Sequence, residues 1–324
     1  MKTRLPPQAC GSVSMLIAAV AVVMLVLCQA PLFARQELTR IPNLLAAPGL
    51  LRLEWRARFR HEHPRLPHPS ASDLTQLRSR NPAFIESRRR DAEGGPRALD
   101  AAILLAMAEP IRPDLDQLFI RLMALTFSGR GHEQVKPLSL AYDWLHDQWS
   151  PSRLAALRTK LAEGCAYTAD VIRKEQLSPY NVFLYNAPLQ ALMACSIALY
   201  RDHPRGEAYM TFTHELWKNR VLPVWRQVFG RNGGWHEGGE YVAIGIGQAI
   251  YTLPTMWRAA TGEDLFRSEP GIRGFLDFLV HRTRPDGSQY RWGDGSNFLR
   301  ASPDATPLAI EFGHAAAYSL APPP

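Results

Sequence analysis

The chain has 324 residues, of which 46% are hydrophobic and 21% charged, with a formal net charge of +7. This balance fits a globular protein with a sizeable core and excludes a disordered or collagen-like chain, apart from the terminal Ala-Pro-Pro-Pro stretch. The positive charge suits a polyanionic partner, an acidic glycan, a nucleic acid or lipid headgroups. Much of it comes from arginines between Arg35 and Arg97, and the run Arg88-Arg89-Arg90 reads as a solvated basic face.

Met15 to Leu27 is unbroken apolar or small residues, preceded by Lys2 and Arg4 and extended by Pro31-Leu32-Phe33. Residues 1–36 therefore read as a signal or transmembrane helix, with an uncleaved anchor favoured over a cleaved signal. Pro31 directly after Ala30 and Leu32 before Ala34 both disfavour cleavage. The expected location is an inner membrane with the body facing the periplasm, or the periplasm itself. Four cysteines show no metal-binding spacing. Cys165 and Cys195 fall in helical patterns and are open to a disulfide in an oxidising compartment.

From Leu38 onward the chain reads as helices separated by short polar or Pro/Gly breaks. Asp100 to Glu109 stops at Pro110, and Asp114 to Phe127 repeats Leu115, Leu118, Leu122 and Leu125 at helical spacing. Leu138 to Trp149 repeats Leu138, Ala141, Tyr142 and Leu145. Ser150-Pro151 supplies an N-cap and a first-turn proline for the next helix. Asn186 is expected to cap the helix that Ala187 and Pro188 open. Further helices are expected at 206–229, 239–260 and 271–282. Strand character is confined to Ser288 to Trp292, bracketed by Asp286-Gly287 and Asp294-Gly295. Residues 37–300 thus form one all-α domain of antiparallel hairpins, and 301–324 a C-terminal tail.

Four stretches carry candidate chemistry. Ser178 to Asn186 is a polar, aromatic loop running into a helix start and presents Tyr180, Asn181, Tyr185 and Asn186. Gly233-Gly234-Trp235-His236-Glu237-Gly238-Gly239-Glu240-Tyr241 clusters four glycines around a Trp, a His and two carboxylates. Such clustering implies special backbone angles or close approach of a ligand. The helix after it carries a stripe of Tyr241, Gly245, Gln248 and Thr252. Trp292-Gly293-Asp294-Gly295 places Asp294 in a turn that can meet sugar hydroxyls. Asp143 in Ala141-Tyr142-Asp143-Trp144-Leu145 reads as a helix-surface or structural hydrogen-bonding residue.

Taken together, the Ala-Tyr-Asp-Trp-Leu segment before Ser150-Pro151, the Asn181/Asn186 loop and Glu237-Gly238-x-x-Tyr241 resemble the helical domain of heparinase II/III-like polysaccharide lyases. The resemblance covers roughly residues 138–297. It implies an incomplete (α/α) toroid with its cleft at one end of the helix barrel. It also implies β-elimination from a uronic-acid polysaccharide, with Tyr241, His236 and Asn181 as catalytic residues. Tyr180, Tyr185, Asn186, Trp235, Glu237, Glu240, Gln248 and Asp294 would contact substrate, with Trp235 at the cleft wall. No metal, cofactor or nucleic acid is implied, and the expected partners are an acidic polysaccharide and the membrane. Two features depart from the family pattern. Ile244 stands where the motif has a second tyrosine, and the chain has no room after Asn297 for a C-terminal β-sandwich. Two further functions therefore stand beside the lyase. One is a non-catalytic exopolysaccharide-binding or assembly protein. The other is a glycoside hydrolase pairing Glu237 or Glu240 with Asp143 or Asp294.

Overall fold

The computed structural model describes residues 54–95, 98–108, 115–230, 232–290, 293, 305–318 and 320, all within the unit Leu53–Pro324. The expected N-terminal anchor and Asp294 lie outside the described residues. Among those residues the fold is all-α, and no helix is long and apolar enough to cross a membrane.

Helix starts follow local chemistry. Ser70 and Asp73 form a reciprocal capping box for Ala71–Arg80. Ser150 caps Pro151–Lys174, whose first-turn proline has no N–H to leave unsatisfied. The helix Pro188–Leu199 is buried at every position. A helix apolar on all sides belongs in the centre. It packs against Val135–Trp144, Pro151–Lys174, Gly206–His214 and Gly247–Thr261. A disulfide between Cys165 and Cys195 ties it to Pro151–Lys174.

The expected 206–229 helix is continuous, but its middle, Glu215–Val221, widens to a π-helix between Gly206–His214 and Leu222–Phe229. Pro223 accounts for the widening, because its ring would strike the carbonyl of Asn219 in a regular α-helix. A second π stretch, Val242–Ile246, joins Gly239–Tyr241 to Gly247–Thr261. Pro270–Arg282 follows as expected.

Three local expectations are corrected. No strand forms at Ser288 to Tyr290 among the described residues. Among the described residues Thr283–Gln289 and Gly238–Gly293 are isolated bridges. The segment expected as a tail holds helices Ala305–Phe312 and Ala315–Tyr318. Leu308 is fully buried there, and Glu311 accepts two hydrogen bonds from Arg258, at 2.6 and 2.9 Å. Asn186 does not cap a helix. It ends the short helix Val182–Asn186, and Asn181 is the cap.

Candidate functional site

The segments Ser178–Asn186 and Gly233–Tyr241, about fifty residues apart in sequence, meet in space. Glu237 joins them. Its Oε2 accepts from the backbone N–H of Val182 at 2.8 Å and from Trp235 Nε1 at 2.9 Å. Burial raises the Glu237 pKa, and these two bonds and the neighbouring His236 offset the rise only in part. Gly245 makes this approach feasible, and Gly233 a separate one to the helix Pro270–Arg282. A β-carbon on Gly245 would sit 2.2 Å from Val182 Cγ2. Gly233 has φ of 71°, and a β-carbon there would lie 1.9 Å from the Gly274 backbone.

The outer face of this junction is an aromatic strip with polar tips. The Tyr180 ring lies 6.4 Å from His236, and the Phe183 ring 6.4 Å from Tyr241. Phe183 is 55% exposed, His236 is exposed, and Asn181 and Tyr241 are half-buried. Asn181 Oδ1 accepts from Phe183 N–H at 2.8 Å. That bond settles which end of the amide faces inward and leaves the NH₂ as a donor. Tyr241 stands immediately before the π stretch, a feature common at functional positions. Tyr180 OH donates to Gln227 Oε1 at 2.5 Å.

Other expected contact residues have different roles. Trp235 is 2% exposed and packs against Tyr185 and Phe229, so it is a core anchor and not a cleft wall. Tyr185 is fully buried and donates its hydroxyl to the Pro179 carbonyl. Burial raises its pKa, which keeps the phenol protonated. Both rings are therefore beyond the reach of a ligand. Glu237 is occupied as the fastening between segments. Glu240 is half-buried in the first turn of its helix.

Asn186 and Gln248 line a cleft of about 540 Å³ together with residues that motif reading overlooked. Lys136, Leu140 and Trp144 form one wall at i, i+4, i+8 spacing along Val135–Trp144. Gln190, in the largely apolar central helix, and His132 face the same space. Lys136 Nζ donates to Gln190 Oε1 at 3.0 Å, while Gln190 Nε2 donates to the Tyr185 carbonyl at 2.9 Å. Burial lowers the Lys136 pKa, and the Asp100 carboxylate pulls it back upward. The available signal was a lone lysine on a stripe shared with Trp144, and a lone glutamine in an apolar helix.

A second polar cluster lies around His63. Its Nδ1 meets Asp143 Oδ1 at 2.5 Å and its Nε2 meets Asp202 Oδ2 at 2.7 Å. Asp143 is fully buried and also accepts from the backbone N–H groups of Arg65 and Leu66. Asp202 accepts from Arg65 and from Tyr142 OH. Burial opposes charge on His63, but the bonds to Asp143 and Asp202 outweigh it and raise its pKa. Asp202 is held far below the usual carboxylate range, because the His63 and Arg65 bonds outweigh burial. His63, His146 and Asp202 place potential metal-ligand atoms within 4.8 Å of one another. The two imidazoles, however, stack at 4.0 Å with planes 9° apart, so their lone pairs run parallel and do not converge. Both His63 nitrogens are already held by carboxylates, and the cluster is a structural clasp. It also occupies Asp143, which removes one partner of the paired-carboxylate hydrolase.

Comparison with known protein families finds no matching family model, and no curated protein matches the chain.

Proposed function

We propose that the protein binds an acidic polysaccharide along the Tyr180–Asn181–His236–Tyr241 face and cleaves it by β-elimination, as an exported, membrane-anchored α/α toroid of the heparinase II/III-like type. The observation that carries this reading is the junction itself. Asn181 comes from one segment and His236 and Tyr241 from the other. The ring pairs Tyr180–His236 and Phe183–Tyr241 bring the two side by side, with His236 exposed and Asn181 and Tyr241 half-buried, while Glu237 fastens the segments together. The disulfide supports export, since such bonds persist in oxidising compartments.

The chemistry follows from the substrate. The C5 proton of a uronate is too weakly acidic to remove while the adjacent carboxylate keeps its full charge. Donors on that carboxylate stabilise the developing enolate. The Asn181 NH₂ and the His236 imidazole are those donors. Tyr241, as phenolate, takes the C5 proton. The C5 electron pair forms the C4–C5 double bond as the C4–O bond breaks, and the tyrosine returns its proton to the leaving oxygen.

The test is ultraviolet absorbance of the unsaturated uronide formed by the full chain on uronic-acid polysaccharides. Wild type should generate it, and Tyr241→Phe should lose it by about a hundredfold or more, the usual scale for a general acid–base group. Reducing ends without the chromophore would overturn elimination in favour of hydrolysis. Ile244, at the second tyrosine position of the motif, favours one further reading, a binder without turnover. Saturable glycan binding with no new absorbance would establish that reading and overturn the catalytic one.

A further inference from the structure

The surface over the His63 clasp carries a surplus of positive charge. Two segments build it, residues 56–65 and 200–207. They lie against each other, since the Phe59 and Tyr200 rings are 4.5 Å apart and Arg201 Nη1 meets His61 Nδ1 at 3.0 Å. The clasp holds both in place. Arg65 donates to the Ala198 and Tyr200 carbonyls and to Asp202, and His63 reaches Asp202 across the same seam.

The two segments hold Arg56, Arg58, Arg60, Arg65, Arg201 and Arg205 against the carboxylates Glu62, Asp202 and Glu207. Asp202 is taken by Arg65, and Glu207 by Arg56. Arg58, Arg60, Arg201 and Arg205 remain against Glu62 alone. All four are exposed, and none forms an ion pair among the described residues. Arg158, on the helix Pro151–Lys174, adds to the surplus. Burial, and then the charges of Arg205 and Arg158, lower the pKa of His203 between them. Arg201 has φ of 67°, a left-handed backbone that few residues with a side chain adopt. The guanidiniums of Arg201 and Arg205 each lie over a ring, Tyr200 and Tyr209, at 5.5 Å. Such contacts fix a guanidinium without neutralising it.

Unneutralised arginines side by side call for an extended anion, and the guanidinium fork suits phosphate oxygens. Position along the chain selects the occupant. The helix Glu54–Arg58 begins the described chain and leads straight into this surface. In sequence, 26 residues separate Glu54 from Leu27, the end of the apolar stretch, and they carry Arg35, Arg40 and Arg52 against Glu37. Basic residues that follow an apolar anchor are attracted to anionic headgroups. We propose that the face formed by Arg58, Arg60, Arg201 and Arg205 docks on an anionic phospholipid surface, with guanidiniums on the lipid phosphates. The choice of a membrane rests on the anchored part of the reading above, whereas the demand for a polyanion rests on the face alone.

The test uses the full chain with vesicles of phosphatidylcholine, alone or mixed with phosphatidylglycerol. Phenylglyoxal labels accessible arginines, and mass spectrometry reads each site. Phosphatidylglycerol should cut the labelling of Arg60, Arg201 and Arg205 several-fold. Arg130 and Arg226, already paired with Glu133 and Glu269, should not respond. High salt should restore the labelling, because the charges are exposed. Arg201→Gln should weaken docking about fivefold, the scale of one basic residue near an anionic surface, and so raise the labelling of Arg60 and Arg205. Equal labelling of these arginines in both kinds of vesicle overturns the docking face. So does equal protection by inorganic phosphate or by a uronic-acid polysaccharide at matched ionic strength, which would make the occupant a small anion or a glycan. The anchor fails separately. A chain that does not float with phosphatidylcholine vesicles is not anchored, yet protection by phosphatidylglycerol vesicles would still establish docking. A chain that floats with its arginines unprotected keeps the anchor and loses the docking face.

Discussion

The His63 clasp and the Asn181–Tyr241 junction use similar residues to opposite ends. Each brings a histidine, a tyrosine and a carboxylate together from distant parts of the chain. In the clasp every one of those groups is answered. Both His63 nitrogens, both Asp143 oxygens and the Tyr142 hydroxyl are bonded, and Asp143 is fully buried. In the junction Glu237, the Tyr180 hydroxyl and the Asn181 oxygen are spent, whereas His236 is exposed and Tyr241 half-buried. A carboxylate–histidine pair therefore marks function only where part of its hydrogen-bonding capacity is left over.

The contrast predicts its largest effect at Asp143. Asp143→Ala strands the His63 imidazole and two backbone N–H groups inside the protein. Breaking a buried pair from one side costs about 3–5 kcal/mol. Urea unfolding should show that loss, while the fraction still folded keeps its glycan binding. A loss below about 1 kcal/mol, within the range of an exposed pair, would break the comparison.

Next comes the disulfide. It fixes the central helix, whose first half presents Gln190 to the cleft and whose C-terminal end gives the Ala198 and Tyr200 carbonyls to Arg65. Cleft and clasp thus hang on one element. Removing a cross-link that spans 30 residues costs about 3–4 kcal/mol in the chain-entropy description. The double variant Cys165→Ser/Cys195→Ser should lose that stability by urea midpoint. It should also speed amide exchange at both ends of the helix. Faster exchange at one end only would show that the two regions are held independently.

Within the junction, Glu237 and His236 should separate cleanly. Glu237→Ala removes two charge-assisted bonds, worth about 1.5–3 kcal/mol each at most, and should weaken both stability and glycan binding. His236→Ala removes an exposed side chain. It should leave stability within about 0.5 kcal/mol while cutting glycan binding or turnover. Thermal melts and a binding isotherm on the same preparations check both. A His236→Ala variant that binds as wild type would make the strip ordinary surface.

The helices were legible because their apolar residues recur at i, i+3 and i+4, and the 206–229, 239–260 and 271–282 spans stand where periodicity put them. The junction was legible because four glycines in seven residues are costly without a close approach to justify them. What one-dimensional reading missed was burial direction. Trp235 and Tyr185 look like ligand-facing aromatics, but the bond to Glu237 holds the first in the core and the bond to the Pro179 carbonyl holds the second there. The clasp was hidden for another reason. His63 lies in His-Glu-His-Pro-Arg-Leu-Pro-His-Pro, which has no periodicity, and its partners are 80 and 139 residues away. Asn181 and Asn186 exchanged roles because each precedes a helix-compatible run, and only the Ala187 backbone, which breaks the helix after Asn186, decides between them.

The smallest effect tests whether the clasp is purely structural, and it is a slope rather than a loss. The His63 pKa is raised on folding, so its contribution to stability is complete below the unfolded value of about 6.5 and disappears as pH rises through the folded value. The Asp202 pKa is lowered, so its contribution is complete above about 3.9 and disappears only in stronger acid. Both contributions are therefore whole between about pH 4 and 6.5, and the melting temperature should decline as pH rises beyond that window. His63→Gln keeps a side chain that can hydrogen-bond but does not titrate, so its melting temperature should be lower in acid and flatter across pH 6–9. Parallel slopes for wild type and His63→Gln would mean that the clasp carries no titrating charge, and its difference from the junction would then rest on burial alone.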